Sequence, residues 1–401
     1  MKAVGIIAEY NPFHNGHKYQ IEQARVQTNS DIVIVAMSGN FLQRGVPAMF
    51  DKWTRANWAL QNGVDLVIEL PTAFSTQAAD YFALGGTKLL NELNIDTLVF
   101  GVESGTASDY KNAAEWFIDH ESELRSKWTD QKRELPYSQV VDQFVQKNNK
   151  GFQVDLSEPN NMLGFTYAKQ MLKHRLNFNI LPIKRKSAHY HDEIVNYKSQ
   201  YASATAIRKR IMHLEKITQY VPKSVNEAIN ELYPVSPGDF WPFIQYKVWN
   251  SLEDELKKIY EMDPGLEVKF KKAILNASSY EKFIGHIKSK HLTFNKINRL
   301  ILYTLLDMTS SQIDEEMDNG LTYIRLLAMN QEGQTYLNNT KASMNIPLYA
   351  NVTRNNQDKL ALDIKAGELY RLINPEQILK QDFTRNPYQT IDNKAFNQYT
   401  E

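Results

Sequence analysis

Five short apolar runs alternate with helical stretches through the first half of the chain, and this alternation limits the fold more than any other feature. The runs cover residues 4–8, 31–37, 65–70, 96–100 and 178–183, and they are rich in Val, Ile and Leu. Near-continuous apolar runs of this length suit strands covered on both faces. Helical periodicity falls between them, over 15–29, 51–62, 77–93 and 159–175. Strand–helix alternation predicts an α/β fold built on a doubly wound parallel sheet. Ligands of such sheets lie at the carboxyl ends of the strands. The loops after Ala8, Met37, Phe100 and Ile183 are therefore where chemistry is expected.

The alternation breaks twice. Residues 104–157 are charged and polar, with helices predicted over 108–128 and 136–148; they read as a helical insertion. After about residue 217 the strand pattern fades, and 238–262, 267–276, 278–290, 294–308 and 320–330 carry helical periodicity. Val221-Pro222-Lys223-Ser224 offers a turn and a new helix start. The division expected is a catalytic domain over 1–220 and a mainly α-helical, basic domain over 221–401. Residues 350–401 are rich in Asn and Gln. No apolar run reaches the length that spans a bilayer, and the first ten residues read as a strand rather than a signal peptide. The expectation is a soluble cytoplasmic protein. Absence of cysteine excludes disulfides, thiolate metal sites and Cys nucleophiles. Nothing in the sequence sets an oligomeric state.

Net charge is zero, but its distribution is uneven. Residues 165–215 hold 10 Lys/Arg against 3 Asp/Glu, and residues 268–300 hold 8 against 1. Two basic blocks in a neutral chain predict a local surface for a polyanion, against the plainer reading of solvated helix faces. Phe270, Tyr280, Phe283 and Phe294 are interleaved in the second block at helical spacing, which favours core packing over base stacking for them.

Asn11-Pro12-Phe13-His14-Asn15-Gly16-His17-Lys18 follows the first strand directly and contains His-x-Gly-His at the start of a helix. A helix N-terminus offers unpaired N–H groups and partial positive charge, a ready phosphate site. Gly16 lets backbone approach closely. Two imidazoles three residues apart can donate to oxygens whose charge grows as a phosphorus is attacked, and Lys18 can add a point charge on the outer phosphates. No carboxylate or third His lies at compact ligand spacing, so no protein-held metal is expected. The P-loop pattern and the GxGxxG pattern are absent.

A second anion site is predicted at Ser203-Ala204-Thr205-Ala206-Ile207-Arg208, with Ser203 as N-cap and Thr205 and Arg208 in the first two turns. Three loops fall at strand ends. Ser38, Gly39 and Asn40 are candidates to bring N–H groups to a substrate. Gly101 suits backbone lying against an adenine ring. Asn160 and Asn161 open a helix, and one of the two is expected only to cap it. Lys184, Arg185 and Lys186 end the fifth run, where Arg185 can meet phosphate or RNA.

The His-x-Gly-His element together with Ser203–Arg208 resembles the HIGH-superfamily nucleotidylyltransferases. The Gly5-to-His17 segment, Met37-Ser38-Gly39-Asn40-Phe41, Gln43-Arg44-Gly45 and the Ser203 element together resemble the bacterial tRNA(Met) cytidine acetate ligases over essentially the whole chain. That resemblance implies a nucleotidylyltransferase-like catalytic domain. It implies activation of acetate by ATP to acetyl-adenylate, then acetyl transfer to the exocyclic amine of the wobble cytidine of elongator tRNA(Met). It maps ATP binding onto Ile7, Ala8, Glu9, Tyr10, Asn11, Pro12, Phe13, His14, Asn15, Gly16, His17, Lys18, Tyr19 and Gln20, with Gly101, one of Asn160 and Asn161, and Arg185. Catalysis would rest on His14, His17, Lys18, Ser203, Thr205 and Arg208. Mg²⁺ would accompany ATP. Lys184, Lys186, Lys271, Lys272, Lys288 and Lys290 would hold tRNA. Ala202 and Ala204 depart from the commoner Ile and Ser of the second element.

Two other functions use the same residues. One is a nucleotidylyltransferase joining AMP to a phosphorylated small molecule; it needs no large basic helical half. The other is a non-catalytic RNA-binding protein on a relic nucleotide fold; it predicts loss of the histidine pair, which is intact.

Overall fold

A computed structural model of the chain describes residues 1–130, 143, 154–185, 199–290 and 292–390. Five strands run parallel in the order β5-β4-β1-β2-β3: β1 Ala3–Ala8, β2 Ile32–Ser38, β3 Leu66–Leu70, β4 Thr97–Val102 and β5 Asn179–Lys184. All five match the apolar runs. Alternate side chains of β2 feed opposite faces. Ile32, Ile34 and Ala36 pack into one core, and Val33, Val35 and Met37 into the other. Helices α1 (Asn15–Thr28), α2 (Lys52–Gln61), α3 (Ala79–Glu92) and α6 (Pro159–Lys173) fall where periodicity put them. The segment expected as an insertion forms α4 (Ala107–Asp119) and α5 (Glu121–Asp130). Tyr110 and Phe117 of α4 meet Phe100 of β4 and Phe165 of α6, ring to ring. These helices thus thicken one face of the sheet. The helix expected over 136–148 lies outside the described residues except for Gln143.

The element over 320–330 is a correction. It is not a helix but β6 (Ile324–Asn330), antiparallel to β3, and it extends the sheet to β7 (Leu348–Tyr349) and β8 (Tyr388–Thr390). The physical reason is that a seven-residue segment with only five apolar positions has no diagnostic period. Leu, Ala and Met favour helix intrinsically, yet the open edge of β3 offers main-chain hydrogen bonds that only a strand can take. Residues beyond 221 therefore complete the sheet begun before it. Helix α7 (Ala204–Met212) and helix α8 (Lys223–Ile229) both pack on the α2 face through Ile207, Ile211, Val225 and Ile229.

The rest of the second half is helical: α9 (Trp241–Asn250), α10 (Leu266–Asn276), α11 (Tyr280–Ile287), α12 (Phe294–Leu306), α13 (Ser310–Asn319), α14 (Gln331–Thr340) and α15 (Ala361–Arg371). Phe270 and Phe283 are wholly buried, edge to face at 5.4 Å. Each contributes about 2–3 kcal/mol by burial, so packing, not stacking on bases, is their work. Phe294 alone of the four interleaved aromatics is exposed.

Candidate active site

A parallel sheet leaves a crevice where neighbouring strands lead off in opposite directions. Here β1 sits between β2 and β4, so the crevice opens at the carboxyl ends of β1 and β4. A cleft of about 1120 Å³ lies there, lined by Ile7, Glu9, His14, His17, Gly101, Asn160, Arg185 and Arg208 among others. The two expected anion sites, at the starts of α1 and α7, both face it.

The histidine pair is built by the first turn of α1. His14 is its N-cap, and its Nδ1 accepts the Gly16 N–H at 3.1 Å. The Nδ1 of His17 accepts the His14 N–H at 3.3 Å. The two rings stack at 3.7 Å between centroids. A Cβ at position 16 would stand 2.9 Å from the His14 ring, so glycine is what lets the imidazole fold back over its own helix. A neutral imidazole whose Nδ1 accepts must carry its hydrogen on Nε2. Burial, with the positive charges of Arg185 and Arg208, lowers His14 to about 3. Burial, His14 and Arg185 lower His17 well below the ordinary histidine range. Both rings are neutral at pH 7, and each has an Nε2–H left to donate.

Behind the pair the backbone is tightly held. Tyr10 has φ 49°, a left-handed conformation that costs a bulky residue energy, and its ring packs edge-on to Phe13 and His17. Arg55 of α2 is fully buried and donates to the carbonyls of Glu9, Ser38, Gly39 and Phe50. It ties the loop after β1 to the loop after β2. Arg208 donates to the Asn11 carbonyl at 2.8 Å and to Thr205 Oγ1 at 3.0 Å, joining the second anion site to the first. Ser203 caps α7, its Oγ accepting the Ala206 N–H at 3.0 Å.

The structure sorts the sequence candidates. Ile7, Ala8, Glu9, Tyr10, Asn11, His14, Gly16, His17, Tyr19, Gln20, Gly101, Asn160, Lys184, Arg185, Ser203, Thr205 and Arg208 line the cleft. Lys18 does not: it is exposed, one residue past His17 on the helix, where its side chain points to solvent. Pro12, Phe13 and Asn15 also stand outside the lining. Phe13 is core, and Asn15 Nδ2 donates to the carbonyls of Gln200 and Gln219, fixing that segment beside α1. Ser38, Gly39 and Asn40 are not part of the cleft lining. They are buried, their carbonyls and amides used by Arg55, Lys52 and Gln381. Asn161 is wholly buried, accepting from Glu103 and Ser104 N–H and from the Tyr110 hydroxyl, so Asn160 is the cleft-facing member of that pair.

The basic candidates divide in the same way. Lys271 Nζ donates to the carbonyls of Val248, Trp249 and Ser251, closing the end of α9. Lys288 Nζ donates to the Leu292 carbonyl and sits 4.6 Å over the Phe294 ring. Lys184, Lys272 and Lys290 are exposed, and Lys186 lies outside the described residues. Sequence reading missed Arg55, since an Arg within a helix ordinarily reads as solvated. It also missed Asn295 and Asn298, which reach the cleft from α12 in the other half of the chain. Only the fold brings that helix there.

Among the described residues no group of three His, Asp or Glu could hold a metal ion. Glu9 is the only carboxylate lining the cleft among them, and its Oε1 accepts the Gln43 N–H at 2.9 Å. This donor set does not fit a cage of the chain's own for Mg²⁺.

Comparison with known proteins agrees with the geometry. The family described as HIGH Nucleotidyl Transferase matches residues 1–386. The chain is 38% identical over 382 residues to the tRNA(Met) cytidine acetate ligase of Bacillus licheniformis, covering 92% of each chain. It is 38% identical to that of Leuconostoc mesenteroides, covering 96% of this chain and 99% of that one. The crystal structure of Thermotoga maritima TmcAL bound with alpha-thio ATP superposes with TM-score 0.88 at 28% identity, over 98% of this chain and all of that one.

Proposed function

The chain belongs to the HIGH nucleotidyl transferases and, among them, to the tRNA(Met) cytidine acetate ligases; from that premise we propose how this cleft carries out the reaction. The protein is an ATP-dependent ligase that activates acetate and acetylates a cytidine of tRNA(Met). An acetate oxygen attacks the α-phosphorus of ATP, the bond to the β-phosphate oxygen breaks, and pyrophosphate leaves with acetyl-adenylate held. The exocyclic amine of cytidine then attacks the acetyl carbonyl. The C–O bond to AMP breaks, and the amine loses a proton to solvent as the amide forms.

No protein nucleophile is required, so rate comes from positioning and charge stabilisation. The stacked histidines carry this reading. As neutral Nε2–H donors with both Nδ1 atoms tied to backbone, they are aimed before the triphosphate arrives and donate to its α- and β-phosphate oxygens. Arg208, with Thr205, holds the pyrophosphate end, and the cap of α7 adds N–H groups. Asn160 and Arg185 flank the nucleoside at Gly101. Exposed Lys272 and Lys290 of the helical half, with Lys184 at the cleft, supply the RNA surface. Incubation with ATP, labelled acetate and total tRNA, followed by nucleoside analysis, tests the assignment. Label is expected in an acetylated cytidine. Label confined to AMP-linked small molecules, or none in RNA, overturns it.

A further inference from the structure

The cleft's two walls differ in origin. One is the nucleotide side, made of the β1 and β4 ends, α1 and α7. The other joins Gln43, Arg44, Val46 and Pro47 from the α/β half to Ser236, Asn295 and Asn298 from the helical half. Its volume stands at the upper end for one small molecule, leaving space for a second substrate against that far wall.

Asn298 is the far-wall residue whose orientation is fixed. The Tyr280 hydroxyl donates to its Oδ1 at 2.8 Å, and Tyr280 is itself buried on α11. With the carbonyl end taken, the amide NH₂ is the end left for a ligand. Backbone of the other half approaches closely beneath it. Gly45, at φ 75°, lies against it, and a Cβ there would stand 2.6 Å from the Asn298 carbonyl carbon and 2.3 Å from the Arg299 nitrogen. The loop of one half thus packs backbone to backbone on the helix of the other at this residue.

A cytosine whose exocyclic amine is the nucleophile keeps two acceptors beside it, N3 and O2. A uracil in the same place carries a hydrogen on N3. O2 accepts in both bases, so a donor-only group facing N3 is what matches cytosine and opposes uracil. We infer that Asn298, oriented by Tyr280, reads the N3–O2 edge of the target cytosine and sets the preference for cytidine over uridine. This rests on the acetate-ligase reading of the same cleft.

Asn298→Asp tests it, because a carboxylate still accepts from Tyr280 yet presents an acceptor where the donor stood. The loss should fall on transfer rather than on activation. Acetate-dependent pyrophosphate exchange persists, while kcat/KM for acetylation of tRNA drops at least thirtyfold. A competitor tRNA with uridine at the target position should inhibit the variant more strongly than the wild type, a change that general loosening of the fold would not produce. Tyr280→Phe, which frees the amide to turn, should give a smaller drop in transfer with exchange again retained. Transfer within threefold of wild type in Asn298→Asp, with the competitor no better an inhibitor, overturns the inference. A wild-type protein that performs no acetate-dependent exchange instead overturns the functional reading beneath it.

Discussion

At the scale of single residues, the histidines work because each is fixed at its inner nitrogen. The backbone of a helix's first turn supplies both N–H groups, so no further side chain is needed to set the tautomer. Both rings have their pKa depressed in the folded, nucleotide-free protein. The sign follows directly. Their contribution to stability is whole above the unfolded value near 6.5 and is lost as pH falls toward about 3 for His14. Nitrogen-15 NMR of the histidine rings should show His14 and His17 as neutral Nε2–H tautomers from pH 8 down to pH 5.5. A midpoint near 6.5 for either cleft ring would contradict the account. The pair was legible from sequence because its chemistry is local, spanning four residues at one helix start. The exclusion of Lys18 was not, since which side of α1 faces the cleft depends on how the helix lies against the sheet.

At the scale of elements, α2 and α10 show cations turned inward. Arg55 satisfies four carbonyls from three segments, and removing it leaves them short of donors inside the core. An unsatisfied buried group costs about 1–3 kcal/mol. Arg55→Met should therefore lower stability by about 3 kcal/mol or more in urea melts and raise KM for ATP; a loss under 1 kcal/mol would show the carbonyls are held otherwise. Lys271 closes α9, so charge reversal there would unsettle the fold as well as any RNA contact. The cleaner test reverses exposed Lys272 and Lys290 to Glu. Filter binding should show weaker tRNA affinity with a shallower salt dependence, and adenylate formation should be unaffected; unchanged affinity assigns these lysines to solvent. Strands β1 to β5 were readable because β-branched runs alternate with long periodic helices. Strand β6 was not, because its identity comes from the free edge of β3 and not from its own residues.

At the scale of the whole molecule, the chain's far end returns to the start of the catalytic sheet. Lys52 of α2 contacts Glu69 of β3 at 2.8 Å and Asp382 at 2.9 Å, and Arg325 of β6 lies 3.9 Å from the same aspartate, all of them buried. Gln381 meets Asn40 and the Trp53 indole. A segment read from composition as a polar tail thus holds the loop after β2 in place, which no local pattern foretells. Removing one member of a buried ion network leaves its partners uncompensated, at about 3–5 kcal/mol. Asp382→Ala should show a loss of that size on denaturation, and a neutral result would mean Glu69 alone balances both cations. The division near 221 was legible only as a change of pattern, since helices of the second half close the cleft and its strands finish the sheet. The most direct test of the central claim needs no RNA. Labelled pyrophosphate should exchange into ATP only when acetate is present, and His17→Ala should abolish that exchange while keeping its fold. Exchange without acetate, or undiminished exchange in the variant, would contradict the role given to the stacked histidines.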